Sequence, residues 1–246
     1  ETGDKGVIDT ELQLKDLETV ENRLGKVQKQ AQTGGDKNAK RQYEVLLRYK
    51  EALEQGLSAR TVELDKEERK CVWDLNLLTD KPVLYVCNVD EKSAVTGNAY
   101  TEAVARAIEG EGAEMLVIAA ATEADIAELG SYEERQMFLE DMGLKESGVS
   151  RLIKSAYKLL NLETFFTTGP DETRAWTYNR GMKAPQTAGI IHTDFEKGFI
   201  RAEVIKYDDY VTLGSEKACR DVGKIGIEGK DYVVQDGDIM HFLFNV

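Results

Sequence analysis

A mixed α/β plus α+β architecture is predicted for this 246-residue chain. Three observations predict it. Two amphipathic helical stretches joined by a glycine turn open the sequence. Strands and helices alternate through its middle. The last third reads strand-strand-helix-strand-strand. Together they imply an antiparallel helical (coiled-coil) domain with a flanking helix over 1–80, a parallel α/β segment over 81–160, and a small β-grasp domain over 161–246.

Each element has its own signal. Leu17, Val20, Leu24 and Val27 alternate steps of three and four, the spacing of a heptad seam. Gly34-Gly35-Asp36 breaks that helix. Leu46, Tyr49 and Leu53 share one face of a second helix, which ends at Gly56. Two such helices across a short turn form a hairpin. Asp65-x-x-Glu68 is a capping box that opens a third helix. Leu75, Leu77 and Leu78 lie near its end, and Thr79-Asp80-Lys81-Pro82 stops it. Val83–Cys87 is an apolar run between breakers, read as a strand buried on both faces. A helix over about Tyr100–Ile108 and a second buried strand over Met115–Ala120 follow. Helices are then predicted over Glu123–Leu129, Ser131–Met142 and Val149–Leu160. Two parallel strands do not make a stable open sheet by themselves, so a larger sheet is expected. Beyond Glu163, strands at Thr164–Thr167 and Ala175–Tyr178 flank Gly169-Pro170-Asp171. A helix near Thr187–His192, a strand at Phe199–Ile205, and strands at Tyr232–Val234 and Ile239–Phe244 around the turn Asp236-Gly-Asp238 complete the pattern.

Composition narrows the function classes. The formal net charge is −13, which argues against broad nucleic-acid binding and against DNA sequence specificity. The charge is uneven, however. Between Arg23 and Lys50, eight basic residues face only Asp36 and Glu44. That stretch carries +6 and the remainder −19. Lys26, Lys29, Lys37, Lys40, Arg41 and Arg48 are therefore candidate RNA contacts at and near the hairpin tip. The plainer reading is a solvated lysine-rich coiled-coil face. No apolar run reaches the roughly 18 residues of a membrane span, and the polar start Glu1–Lys5 is no secretory leader. Cys71, Cys87 and Cys219 are odd in number and widely spaced. They imply reduced, buried thiols and a cytoplasmic setting rather than disulfides or zinc. No metal site and no membrane partner are expected.

Three stretches resemble the YchF family of Obg-related ATPases. The first is Ile8-Asp-Thr-Glu-Leu-Gln-Leu-Lys-Asp-Leu-Glu18. The second is Lys81-Pro-Val-Leu-Tyr-Val-Cys-Asn-Val-Asp-Glu91. The third combines Phe166–Pro170, Arg174-Ala-Trp176, Ala188–Glu203 and Gly229–Asp238. The resemblance implies a helical hairpin inserted in a P-loop NTPase-type sheet, followed by a ubiquitin-like TGS domain. It implies ATP or GTP with Mg as cofactor in the parent, a hydrolase activity there, and the ribosome (large subunit) or RNA as partner. The phosphate-cradling pattern Gly-x-x-x-x-Gly-Lys-Ser/Thr does not occur. Gly223-Lys224 is followed by Ile225 and Gly229-Lys230 by Asp231. No catalytic residue is assigned to this chain, and inactivity on its own is the expectation.

By the same resemblance Asn88-Val-Asp-Glu91, directly after a strand where open α/β sheets place ligands, is a nucleotide-base loop. Asn88 contacts the base, Val89 lines it and Glu91 shapes the pocket. Glu91 stands where most GTPases carry Asp. Its extra methylene misplaces the carboxylate for bidentate guanine pairing, whereas adenine offers an N6 donor and an N7 acceptor that suit an amide. ATP preference with tolerance of GTP follows. Ala120 and Ala121 form a second base loop. As bare residues, Asn88–Glu91 read more simply as a strand cap and turn. His192-Thr-Asp194 lacks a nucleophile and reads as a satisfied histidine of the β-grasp fold. Trp73, Trp176, Phe165, Phe166, Phe195 and Phe199 read as core. A wholly non-catalytic RNA- or ribosome-binding module, and a degenerate relative with purely structural domains, are the alternative readings.

Overall fold

The computed structural model describes residues 2–32, 36–169 and 172–245. Gly34-Gly35 of the first expected turn and Pro170-Asp171 of the expected hairpin turn lie outside them. The chain forms two compact units, Glu1–Arg151 and Leu152–Val246.

The first unit opens with α1 (Thr2–Gln32) and α2 (Lys37–Glu54). They run antiparallel. Gln13 Nε2 donates to the Gly56 carbonyl at 3.0 Å, and Lys50 pairs with Glu21 at 2.7 Å. Val20, Val27, Val45, Leu46, Tyr49 and Leu53 make the buried seam between them. Burying such side chains contributes about 1.5–3 kcal/mol each. Asp36 caps α2 by accepting the N–H groups of Asn38 and Ala39. Gly56, with φ +72°, ends it in the left-handed region.

The capping box forms as expected at α3 (Lys66–Val72). Asp65 accepts two backbone N–H groups and Glu68 accepts the Asp65 N–H. The helix is shorter than expected, because Trp73–Leu75 form a 3₁₀ turn and Asn76 turns left-handed at φ 50°. Leu77 and Leu78 thus lie beyond it, and Pro82 is not what stops it. Trp73 is 76% exposed and is not core.

Strands β1 (Leu84–Asn88) and β2 (Glu114–Ile118) pair in parallel, from Leu84↔Glu114 to Asn88↔Ile118. The expectation that both faces of β1 are buried fails. Val86 is 48% exposed, because a parallel strand is buried twice over only where layers cover both faces. Helix α4 (Ala99–Ala107) starts at the cap Asn98, and α6 (Tyr132–Asp141) at the cap Ser131. Helix α5 (Ala120–Glu128) begins before the expected Glu123, and β2 ends at Ile118 rather than Ala120. Helix α7 (Gly148–Leu159) contains the boundary between the units.

The second unit is a five-stranded sheet of order β4-β3-β7-β5-β6. Its strands are β3 (Leu162–Thr168), β4 (Thr173–Asn179), β5 (Phe199–Ile205), β6 (Gly226–Glu228) and β7 (Ile239–Phe244). β3 and β7 pair in parallel and the other neighbours antiparallel. Phe165, Tyr178, Ala202 and Phe242 pack with Ala184 and Ala188 of α8 (Ala184–Ile191) in its main core. Ile205 and Ile239 pack with Cys219 in a smaller one. Gly198 must be glycine, since a Cβ there would stand 2.1 Å from the Asn245 carbonyl oxygen.

Tyr232–Val234 is not a strand. It makes only the single bridge Lys183↔Val233. Helices α9 (Thr193–Lys197), α10 (Tyr207–Leu213) and α11 (Glu216–Asp221) and strand β6 were not predicted, being too short to display a period. His192 is an exposed cap whose Nδ1 accepts the Asp194 N–H at 3.2 Å. Only Cys219 is a fully buried thiol; Cys71 and Cys87 are half-buried, and all three are free.

Candidate functional site

The carboxyl ends of β1 and β2 bring the two expected base loops together. Val89 N–H donates to the Ile118 carbonyl at 2.9 Å, extending the strand ladder by one bond. Asn88 Oδ1 accepts the Ala120 N–H at 3.0 Å. A backbone N–H can only donate, so the oxygen is the atom facing Ala120 and the Asn88 amide nitrogen points elsewhere as a donor. The same bond explains the early start of α5, whose first N–H groups have no partner inside the helix. Asn88, Ala120, Ala121 and Glu91 are all solvent-exposed. Asp90 turns the chain after β1. It accepts the Ser93 N–H at 2.9 Å, and the Ser93 side chain together with that N–H holds its carboxyl below the usual range. Glu91 begins the resulting 3₁₀ turn. Burial pushes the Cys87 thiol up, so it is no ready nucleophile.

Behind these loops, Glu123 of α5 accepts the Gly148 and Val149 N–H groups at 2.6 and 3.1 Å. It thereby caps α7 with a negative charge at the favourable end of the helix dipole. A Cβ on Gly148 would lie 2.8 Å from Glu123 Oε1 and 2.9 Å from Ile118 Cγ2. Arg151 Nη2 donates to the Val117 carbonyl at 2.6 Å.

Two positioning clusters escaped sequence reasoning. Asp16, on α1 and 2% exposed, accepts from Leu78 N, Thr79 N and Thr79 Oγ1, each at 2.7 Å. Thr79 Oγ1 also accepts the Ala59 N–H, and its carbonyl accepts from Arg60. The clamp fixes the segment that runs into β1. The second cluster centres on Lys5, which donates to Asp9 and Glu111 at 2.6 Å, while the Tyr85 hydroxyl donates to Glu111 at 3.0 Å. Burial opposes the Lys5 charge, but the two carboxylates outweigh it and raise its pKa. Asp16 and Thr79 are separated by 63 residues, and no local pattern links them.

Of the basic candidates, Lys26, Lys29, Lys37, Lys40 and Arg41 are exposed near the hairpin tip. Arg48 is not with them. It pairs with Glu68 of the α3 cap and donates to the Glu63 carbonyl.

Residues 162–245 match the YchF-GTPase C-terminal family, described as a protein of unknown function (DUF933). The ribosome-binding ATPase YchF of Bacillus subtilis (strain 168) is 50% identical over 241 residues, covering 97% of this chain and 65% of that protein. The protein of the same name from Escherichia coli O157:H7 is 48% identical, covering 98% and 65%. Obg-like ATPase 1 of Rattus norvegicus is 41% identical, covering 97% and 61%. This chain thus spans just under two thirds of the length of these relatives. The solved YchF GTPase of Schizosaccharomyces pombe superposes with a TM-score of 0.84 at 32% identity, covering 98% of this chain and 66% of that one. Sequence likeness along nearly the whole chain and a shared fold place it in one group with these proteins: the chain belongs to the YchF family.

Proposed function

We propose that this chain is the part of a ribosome-associated, ATP-preferring and GTP-tolerant P-loop NTPase that recognises the base and presents the hairpin and C-terminal domain. The Asn88–Ala120 bond carries this reading. It sets two loops side by side at the ends of parallel strands, and it leaves the Asn88 amide nitrogen as a donor for a purine N7. Glu91, one turn on, disfavours the bidentate guanine contact that a shorter carboxylate makes. The hairpin is then an insertion in the nucleotide-binding domain, within divisions at 1–80, 81–160 and 161–246, and the last part is a ubiquitin-like TGS module. Relatives named as ribosome-binding ATPases support a cytoplasmic protein that meets the large ribosomal subunit or its RNA. No helix among the described residues is long and apolar enough to cross a membrane. Triphosphate and Mg complete the ligand. Among the described residues no cluster of three or more His, Cys, Asp or Glu side chains could hold the metal, so the magnesium is assigned no residue here.

The test is the relative affinity of labelled ATP and GTP in the gene product that contains this chain, with wild-type residue 91 and with Glu91→Asp. ATP should bind tighter, and Glu91→Asp should move the ratio toward GTP. Tighter wild-type binding of GTP refutes the base assignment.

The exposed Lys26, Lys37, Lys40 and Arg41 support an accompanying RNA contact at the hairpin tip. Phosphate-dominated binding weakens steeply with salt. Titration of labelled ribosomal RNA at low and high salt should show that slope, and its absence at low salt ends the idea.

A further inference from the structure

We propose that the outer edge of β4 is a docking surface for a second copy of this chain, the two β4 strands running antiparallel about a two-fold axis at Trp176. The five-stranded sheet has two edges, and they differ. β6 is blunted by its length of three residues. β4 is seven residues long, and among the described residues it pairs with β3 alone. It contains no proline and no lysine, and its register against β3 is unbroken from Leu162↔Asn179 to Thr168↔Thr173, without a bulge. Those are the devices that keep a strand edge from pairing. Arg174 does not guard the edge either, because its guanidinium lies over the Trp176 ring, 4.2 Å from the centroid.

The ladder at both ends of β4 fixes which backbone groups face outward. The Gly169 N–H donates to the Glu172 carbonyl, and the Arg180 N–H to the Asn161 carbonyl. Alternation along an antiparallel pair then turns the N–H and C=O groups of Arg174, Trp176 and Tyr178 toward β3, and those of Thr173, Ala175, Thr177 and Asn179 away from it. Thr173, Ala175, Thr177 and Asn179 are all exposed. Of their outward groups, the Asn179 carbonyl alone has a partner among the described residues, the Met182 N–H at 3.1 Å. A copy centred on Trp176 sets Ala175 opposite the second copy's Thr177 and Thr173 opposite its Asn179. About six inter-strand hydrogen bonds result. The two Trp176 side chains then face each other in a non-hydrogen-bonded pair, where cross-strand aromatic neighbours come closest.

Charge selects this register. It places the exposed Glu172 opposite the second copy's Arg180, and symmetry repeats the pair. Arg180 gives its Nε to Glu163 at 2.7 Å, and a guanidinium has further N–H donors for a second carboxylate. Moving the axis to Ala175 removes both charge pairs, and moving it to Thr177 sets Arg174 against Arg180. With Glu172 at one end and Arg174 and Arg180 after it, the edge carries both signs, and its own antiparallel copy matches them.

The test is sedimentation equilibrium of the full chain at about 0.15 M salt, where a Debye length of about 8 Å screens the repulsion between two chains of −13. A monomer–dimer equilibrium is expected. Ala175→Pro should abolish the dimer, since it removes an outward N–H from a strand edge that tolerates proline. Glu172→Arg should weaken it about tenfold or more, by turning two opposite-charge pairs into like-charge pairs, and Glu172→Asp should retain it. All three variants should keep the melting transition of the wild-type monomer; if Ala175→Pro does not, Glu172→Arg decides alone. The proposal is overturned by a chain that stays monomeric at every concentration, including one whose β4 instead takes up an added acidic peptide, or by a dimer that Glu172→Arg or a folded Ala175→Pro leaves intact.

Discussion

Two regions of the first unit, both adjoining β1, are built on opposite plans. Before the strand, Thr79 is 3% exposed. Its N–H, hydroxyl and carbonyl are all engaged, by Asp16, Ala59 and Arg60. After the strand, Asn88 and Ala120 are exposed and share one hydrogen bond. The first region is where the chain is anchored, and the second is the loop pair proposed above to meet a nucleotide base. Buried polar groups must be satisfied inside the protein, so the anchor consumes its donors and acceptors. A recognition loop must keep some unspent.

The largest effect that can test this contrast is at the anchor. Asp16→Asn turns an NH₂ toward donors that need an acceptor. It should cost about 3 kcal/mol, as expected for charged hydrogen bonds lost in a buried place, and is measured by urea unfolding. A cost below about 0.5 kcal/mol would show that the clamp holds nothing.

The second unit has an anchor of the same kind. Asp238 is 0% exposed and accepts from Lys206, Tyr232 and the Gln235 N–H at 2.6, 2.6 and 3.0 Å. Lys206→Met should cost about 2 kcal/mol by leaving that carboxylate without its cation. Full retention of stability would mean that solvent already screens the pair.

At the other pole, Asn88→Ala should change unfolding free energy by less than about 1 kcal/mol, the worth of one exposed hydrogen bond. In the gene product that contains this chain, the proposed base contact predicts that it weakens ATP binding. A large stability loss there would make Asn88 an anchor and erase the contrast.

The smallest effect belongs to Asp80. Burial raises its carboxyl pKa above the ordinary value, and Oδ1 is buried without a partner. Folding therefore disfavours its ionised form. The cost is absent below the ordinary carboxylate pKa, grows as pH rises through the raised value, and is complete above it. Asp80→Asn should melt slightly higher than wild type at pH 7, with the difference closing in acid. Equal melting at pH 7 would show that Arg69, 3.7 Å away, already offsets the burial.

The sequence by itself determined the elements whose signals are local. The seam of Val20, Val27, Leu46 and Tyr49, the Asp65–Glu68 capping box and β5 could all be read because periodicity and capping act over a few residues. Short segments such as α9, α10 and β6 left no periodic trace, and Trp73 proved to be surface although its residue type reads as core. Arg48 reads in the sequence as one more basic residue of the tip, but in the fold Glu68 pairs with it. Only the tertiary structure decided that Asp16 grips Thr79, that the Asn88 oxygen is spent on Ala120, and that β3 pairs with β7, which leaves β4 at the edge of its sheet. Each joins residues distant in the chain, and such pairings arise from packing rather than from any run of neighbouring side chains.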